Sequence, residues 1–575
     1  MKRADEDMNN SLLSLVPFHD NRTTLLDLPN EILLLICRYL SPTDVLYSFY
    51  TPEKAETRLH RLIIDYYTKI KLDKILFDEY AYIHWLLGDS NNPLQPESLI
   101  LSNEHITCLT ERYFTYIRKN LIQSIFINLK RLTLIDCSTS EIQQIDREYI
   151  DDLTQLEYFH INVHKSDKDL SFEESCDGSI GRILFNNKLS SLRTIKIELL
   201  SGLSLYQSLI SHENLRHIEI ILKTIDDLYI LLDGLIPNVQ LLIVHLTQTR
   251  ILTCHYSSCK LSCPQLTEFA LFEPRVGLVI DNLKCIFSSM SNIIKLTLSI
   301  RDTPDSQFCH GPTMESILTE YLPYLRQFDY TMTHRVTDEL LIEDFIRWSM
   351  NVTYYFNENS KWIHIYSLPW PSNKDDQRRL PIVKNGYMVV VGSGVKRAEH
   401  IEHVKITESD ELIELETRFD RVCKITTCFS IDRKLPERIT KLILTEETPI
   451  SSITSIVQPY IHHLIVERRL IDEQEISSLA YQYPNVKYLQ LLFPLDHSSF
   501  RRCFQVLFSM DGSNDKKLRF WSGLINFSTK YVYGQANGIR SDGKFHQWLI
   551  ENTDLKYHTL IFYANCSNSM FSIWL

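Results

Sequence analysis

The amino-acid sequence predicts an α/β solenoid, a curved stack of parallel strands with helices on its outer side, preceded by a small all-α unit. Three observations predict it: a short apolar frame recurring along most of the chain, a helical apolar stripe near residue 30, and few glycines. The chain has 575 residues, 44% of them hydrophobic, which is far longer than one ordinary domain. Only 15 are glycine, which favours regular repeated elements over a glycine-rich nucleotide-binding fold.

The recurring frame has apolar residues at its first, fourth and sixth positions. The fourth and sixth alternate along a short strand and point to one face, while the first enters the same interior from the preceding turn. One such strand is not stable alone, but stacked copies share a parallel sheet and a continuous core. Twelve copies begin at Leu129, Leu156, Leu192, Leu215, Val239, Leu266, Ile293, Leu325, Ile401, Ile439, Ile461 and Val486.

Between the strands there is room for a helix and a turn. Within 129–325 and 439–486 the copies begin 22 to 36 residues apart, and Pro237, Pro264, Pro323 and Pro484 mark the turns before four of them. This pattern is similar to the leucine-rich-repeat superfamily in its irregular long-repeat form, which implies a horseshoe of parallel strands with outer helices. The Asn or Cys that usually follows the strand is mostly missing. A globular α/β domain with similar strands is the alternative.

The all-α unit is predicted from residues 25–46. Pro29 suits a first helical position, and Ser41-Pro42 ends the helix, so that Thr43 or Asp44 can cap the next one. Two short helices with apolar faces cannot bury themselves within twenty residues, so they require a neighbour. The apolar stripe of the first helix consists of Ile32, Leu33, Ile36 and Leu40.

The run Leu28-Pro29-x-Glu31-Ile32-Leu33, followed at the expected offset by Asp44-Val45-Leu46, resembles the F-box over roughly residues 24–72. The resemblance implies a third helix near Arg58 and docking on the Skp-type adaptor, and through it a cullin, of a ubiquitin ligase. An ordinary helical hairpin packed on its own domain is the alternative. The implied adaptor-binding residues are Leu28, Pro29, Ile32, Leu33, Ile36, Leu40, Val45 and Leu46.

The sequence predicts four regions. Residues 1–23 form a disordered leader, and 24–88 hold the F-box and a linker helix, with a helical pattern over 65–85. Residues 89–511 form the leucine-rich-repeat-like solenoid, with a loop-rich insertion near 345–395. Residues 512–575 form a C-terminal cap, because the last edge of a stacked sheet must be covered.

Charge and composition exclude several classes of function. The net charge of −12 has the wrong sign for a general nucleic-acid binder. No stretch reaches 18 uncharged apolar residues, so no membrane span is predicted, and no secretory signal opens the chain. Thirteen cysteines without framework spacing suit a reducing compartment, so a cytoplasmic or nuclear location is expected.

Candidate chemical sites are weak. Cys254, Cys259, Cys263 and His255 lack the paired spacing of a zinc site and are interpreted as turn and strand residues with buried thiols. Gly392-Ser393-Gly394 lacks the lysine of a phosphate loop and is interpreted as a turn. Cys423 and Cys428, beside Lys424, are interpreted as buried strand thiols rather than as nucleophiles. No cofactor, metal or catalytic residue is predicted.

The expected function is therefore that of a non-catalytic, substrate-recognition subunit of a Skp–cullin–F-box ubiquitin ligase, with an unknown target protein held on the repeat array. One alternative is an interaction scaffold without a role in ubiquitination, and another is an enzyme hidden in residues 345–430 or in the last 60. Trp362, Trp370 and Trp521 are candidate contact residues, with burial in the core as the equal alternative. Strand positions expected to contact the target are Arg131, Thr133, Lys196, Glu219, Lys295, Thr297, Lys441 and Gln490.

Overall fold

The computed structural model describes most of the chain from residue 25 onwards. The described residues are 25, 28–40, 42–50, 58–66, 68–72, 75–88, 96–106, 109–116, 128–163, 170–185, 188–206, 209–248, 263–274, 277–336, 345–348, 350–357, 360–367, 403–406, 412, 422–448, 456–509, 520–530, 544–557, 562–567 and 570–575. The predicted leader 1–23, and residues 368–395 of the predicted insertion, lie outside them.

Three short helices come first: α1 (Asn30–Arg38), α2 (Pro42–Phe49) and α3 (Arg58–Tyr66). Pro29 precedes the first residue of α1, and its carbonyl accepts hydrogen bonds from the backbone N–H groups of Ile32 and Leu33. Pro42 is itself the first residue of α2, where its missing N–H costs nothing. The prediction that Thr43 or Asp44 caps α2 is therefore wrong.

Ten parallel strands, each paired with the next in sequence, form most of a first sheet. A hairpin of two antiparallel strands completes it, pairing through β12 with β10. The strands are β1 (Lys69–Leu72), β2 (Ser98–Ser102), β3 (Arg131–Cys137), β4 (Tyr158–Val163), β5 (Thr194–Leu199), β6 (His217–Leu222), β7 (Leu241–Leu246), β8 (Glu268–Pro274), β9 (Lys295–Thr303), β10 (Gln327–Val336), β11 (Asn351–Asn357) and β12 (Ser360–Tyr366).

A second sheet repeats this plan, with six parallel strands in sequence order and an antiparallel pair at one edge. Its strands are β13 (His403–Ile406), β14 (Lys424–Thr427), β15 (Lys441–Leu444), β16 (His463–Arg469), β17 (Tyr488–Leu492), β18 (Asn526–Lys530), β19 (Tyr563–Ser567) and β20 (Met570–Trp574). The predicted α/β architecture of stacked parallel strands is thus confirmed, but the described strands form two sheets instead of one.

Helices connect many of the strands. They are α4 (Phe77–Gly88), α5 (Leu109–Tyr116), α6 (Thr139–Gln144), α7 (Leu170–Leu184), α8 (Ile225–Ile230), α9 (Ile280–Phe287), α10 (Gly311–Tyr321), α11 (Gln474–Gln482), α12 (His497–Leu507) and α13 (Lys544–Asn552). Short 3₁₀ or π turns extend or precede several of them. Capping boxes fix two helix starts: Ser138 with Glu141 at α6, and Thr224 with Asp227 at α8.

The apolar frame builds the core of each sheet. Its fourth and sixth positions lie side by side across the strands, as in the row that joins Leu132, Phe159 and Ile195. Nearly every described frame residue is less than 5% exposed. The first-sheet core also includes buried side chains of α1 to α3, so these helices and the sheet share one apolar interior.

Asparagines in the turns before the strands link successive repeats. The Asn238 side chain donates a hydrogen bond to the Glu213 carbonyl at 2.9 Å, and that of Asn485 donates to the Pro459 carbonyl at 2.9 Å. Each lies one residue before a frame and bonds to the equivalent turn of the preceding repeat. Asn214 and Asn292 make the same bond. We call these bonds the asparagine staples. Each satisfies a backbone carbonyl in the turn of the preceding repeat.

Three differences from the predicted boundaries have physical causes. The prediction of a helix over 65–85 is wrong for residues 69–72, which form the strand β1. Ile70 and Leu72 of β1 extend the core rows of β2. The sheet therefore begins before residue 89. Phe527 of β18 continues the parallel order beyond residue 511, pairing with Leu489. Within the predicted loop-rich insertion, Ile363 and Ile365 lie in the strand β12, which runs antiparallel within a hairpin.

Candidate functional site

The first helix carries an apolar stripe that faces away from the core. Ile32 and Leu35 are 41% and 44% exposed, and Tyr39, at the end of α1, is 84% exposed. Leu40 is also exposed and Ile36 is half-buried. Spacings of three and four residues put Ile32, Leu35 and Ile36 on one side of the helix, and Tyr39 and Leu40 follow directly after its last residue. We call Ile32, Leu35, Ile36, Tyr39 and Leu40 the α1 stripe.

The eight residues expected to bind the adaptor divide into three groups by exposure. Leu33, Val45 and Leu46 are at most 2% exposed and pack in the chain's own core, so any role in partner contact is indirect, through the positions of α1 and α2. Leu28 and Ile36 are half-buried, while Pro29, Ile32 and Leu40 are exposed.

The predicted adaptor-binding residues do not include Leu35 and Tyr39, although Leu35 follows Ile32 by three residues and Tyr39 follows Leu35 by four. The sequence also did not predict an aromatic cluster joining α2 to α4. The rings of Tyr47 and Tyr82 meet edge to face at 5.3 Å, and Trp85 lies 6.0 Å from Tyr82. The Tyr82 hydroxyl donates to the Tyr50 carbonyl, which fixes α4 against the end of α2. Burial raises the pKa of Tyr82 above its usual value, so it stays neutral at physiological pH.

The second sheet is partly covered by the chain itself. We call the side of each sheet turned away from its core the front face. On the front face of the second sheet, Lys441 donates to Glu104 at 2.8 Å, and the ring of Tyr488 lies 4.5 Å from that of His105. Lys441 is only 13% exposed. The expectation that Lys441 contacts a target is therefore corrected, because residues between β2 and α5 already occupy this position.

The front face of the first sheet carries a charge network. Lys196 on β5 donates to the Glu219 carboxylate on β6 at 2.8 Å and lies 2.7 Å from Glu198. Glu198 also accepts from Asn162 at 2.7 Å and lies 3.4 Å from the His160 ring. Burial opposes ionisation of Glu198, but these donors outweigh it and hold its pKa well below the usual value.

The other positions expected to contact a target differ in exposure, and Arg131 is exposed. Arg131 lies over the Tyr158 ring at 4.4 Å, and Lys295 pairs with Glu268 at 3.8 Å. Thr133, Thr297 and Gln490 are half-buried. Trp521 is 1% exposed and donates to the Tyr483 carbonyl, so it is a core residue. The side chain of Trp362 and all of Trp370 lie outside the described residues.

The candidate chemical sites gain no support. Cys263 is buried and its pKa is raised to about 12 by desolvation, while Cys254, His255, Cys259 and Gly392–Gly394 lie outside the described residues. Cys423 is exposed and Cys428 is half-buried, and the two flank β14 (Lys424–Thr427), so the interpretation of both as buried strand thiols is wrong. Among the described residues, no group of three His, Cys, Asp or Glu side chains is arranged to hold a metal ion. No described helix has the length and apolar character to cross a bilayer.

No protein-family model matches this chain, and a comparison with curated proteins finds no match. The function must therefore be inferred from the surfaces of the molecule.

Proposed function

We propose that this protein is the substrate-recognition subunit of a Skp–cullin–F-box ubiquitin ligase, with α1 to α3 acting as an F-box and the two sheets as a leucine-rich-repeat-like array. The observation that carries the proposal is the α1 stripe. Large apolar side chains exposed together mark a protein-interaction site, since their burial by a partner removes apolar surface from water. The stripe lies within the run that resembles the F-box.

The proposed mechanism is proximity. The helical unit docks on the adaptor, the array holds a target, and the assembled ligase raises the effective concentration of a target lysine near an activated thioester. Continuity of the core supports this division of labour, because α1 to α3 pack into the same interior as β1 to β10 and β12. Chemical steps belong to other subunits. The expected compartment remains cytoplasm or nucleus.

The test is direct binding of a purified Skp-type adaptor, with the α1 stripe altered. Ile32→Asp and Tyr39→Asp place a charge on exposed positions, so the free protein can fold, but docking would bury that charge without a partner. We expect each variant to weaken adaptor binding at least about tenfold, equivalent to 1.4 kcal/mol.

The matched control is Leu200→Asp, the same change at an apolar side chain that is 66% exposed and follows β5. It should bind the adaptor like the wild type, and all three variants should melt like the wild type. Failure of the folded wild type to bind the adaptor overturns the proposal. If binding occurs, reconstituted ubiquitin transfer to a captured partner separates the ligase subunit from a scaffold without that role.

A further inference from the structure

An apolar patch interrupts the front face of the first sheet. A sheet face turned away from the core normally carries polar side chains, yet neighbouring strands β6 to β8 place five apolar ones there. All five are half-buried, and the ring of His245 stacks on Phe272 at 4.6 Å. We call this set the β6–β8 patch: Ile221, Leu241, Ile243, Ala270 and Phe272.

An acidic group borders the patch. The strand register places Glu219 directly beside Ile243, in a row that continues from Lys196 to Ala270. The ammonium of Lys196 is shared by two carboxylates, so the network carries one more negative than positive charge. Glu198 has additional donors in Asn162 and His160, whereas Glu219, 34% exposed, receives one described hydrogen bond. Glu219 therefore keeps acceptor capacity at the edge of the patch.

We propose that this face binds an extended protein segment carrying a basic side chain near an apolar one, with the basic group at Glu219 and the apolar side chain on the β6–β8 patch. Charge complementarity supports this occupant, since the network has a surplus carboxylate and the whole chain has a net charge of −12. The front face of the second sheet is less available to such a segment, because Glu104 and His105 already contact Lys441 and Tyr488 there.

The distance between the strands also sets how far apart the basic and apolar residues of the bound segment lie in its sequence. Strands lie about 4.8 Å apart, so the middle of the patch, between β7 and β8, is roughly 7 Å from β6. An extended segment advances about 3.3 Å per residue, and alternate side chains share a face. A segment crossing the strands therefore reaches both sites with its basic and apolar residues two positions apart.

The inference names the target class for the proposed ligase subunit and rests on that function only in this respect. Its test needs no adaptor: fluorescence anisotropy with three labelled nine-residue peptide pools, built around Arg-x-Leu, Glu-x-Leu and Arg-x-Ser. We expect the wild type to bind the Arg-x-Leu pool at least about tenfold more tightly than either other pool. Glu219→Lys should abolish that preference and favour Glu-x-Leu, and Ile243→Thr should weaken Arg-x-Leu binding.

The matched control is Asp329→Lys, the same reversal of charge in the same row but four strands away on β10. It should leave the order of the pools unchanged. Equal binding of the three pools, no binding, or an unchanged preference in Glu219→Lys overturns the inference. Sedimentation velocity tests a rival occupant: a wild-type dimer that Glu219→Lys dissociates would show that a second copy covers this face. Failure here with intact adaptor binding leaves the proposed function standing.

Discussion

At the scale of single residues, the asparagine staples show how irregular repeats are held together. Asn238 uses a side-chain N–H to bond the Glu213 carbonyl, and the Arg216 carbonyl accepts the backbone N–H groups of Gln240 and Leu241 just beyond. Side chain and backbone thus bridge the same two repeats. The staples occur at four described junctions, whereas such paired backbone bonds recur between repeats that begin 22 to 36 residues apart, so the repeats can differ in their helices and still stack.

Removing one staple should loosen one junction. We expect Asn238→Ala to lower the free energy of opening of the Gln240 and Leu241 amides by about 1 kcal/mol, the net contribution of an ordinary hydrogen bond. Asn238→Asp should be at least as destabilising, because a carboxylate oxygen would face the carbonyl. Native-state hydrogen exchange measures this free energy. Gln265→Ala, at the equivalent exposed position before Leu266, is the control and should have little effect.

Single residues also explain which repeats the sequence could not reveal. The frame recurs at Val422-x-x-Ile425-x-Thr427 and at Leu524-x-x-Phe527-x-Thr529, and both threonines are fully buried. Because threonine is polar, a frame defined by an apolar sixth position does not identify these two repeats. Thr427 satisfies its hydroxyl locally by donating to the Phe429 carbonyl, a bond that no spacing pattern predicts.

At the scale of elements, β13 contains a buried histidine beside cations. His403 is 4% exposed, and its Nε2 lies 2.8 Å from the Thr426 hydroxyl on β14. Desolvation, followed by the charges of Lys424 and Lys441, lowers the pKa of His403 to about 3. The imidazole is therefore neutral in the folded protein across the physiological range.

This shift predicts a pH dependence of stability. Between pH 6.5 and 3 an unfolded chain binds a proton at His403 that the folded chain does not, so stability must fall as the pH falls through this window. The loss attributable to His403 should reach at most about 5 kcal/mol. His403→Gln keeps a group able to hydrogen-bond Thr426 and should flatten the curve from denaturant unfolding, whereas His217→Gln, at an exposed position, should not. Identical slopes for both variants would contradict the assignment.

The sequence predicted the elements where one pattern dominated. Strands β3 to β10 follow the apolar frame closely, so their positions could be found from spacing alone. Residues 65–85 carry apolar side chains at both helical and strand spacing. Residues 69–72 are a strand because they pair with β2, a contact that local spacing does not show. The α1 stripe was predicted in part, because helical spacing names a face but does not say which of its members the neighbouring helices bury.

At the scale of the whole molecule, two segments 499 residues apart are joined by Trp574 of β20. Its indole N–H donates to the Ile75 carbonyl at 3.0 Å, and its ring lies 5.3 Å from Phe77 and 5.0 Å from Tyr80. The side chain is fully buried. Glu104, which follows β2, and Lys441 of β15 form a second contact between the two sheets. The helix α4 that supports α2 is thereby fixed to the edge of the second sheet.

This contact should be a principal link between the two sheets. We expect Trp574→Ala to cost about 3–5 kcal/mol, the usual effect of removing a large buried ring, and to increase hydrogen exchange in α4 and β20 more than in β5 to β8. The control, Trp85→Ala, removes an indole ring from α4 at a position that is 54% exposed, and it should change the free energy of unfolding little. Equal effects of the two substitutions, or unchanged exchange in α4, would contradict the link. A measured loss of protection centred on α4 and β20 would show that this tryptophan and its neighbours hold the second sheet against α4, and with it against the unit that contains the first sheet.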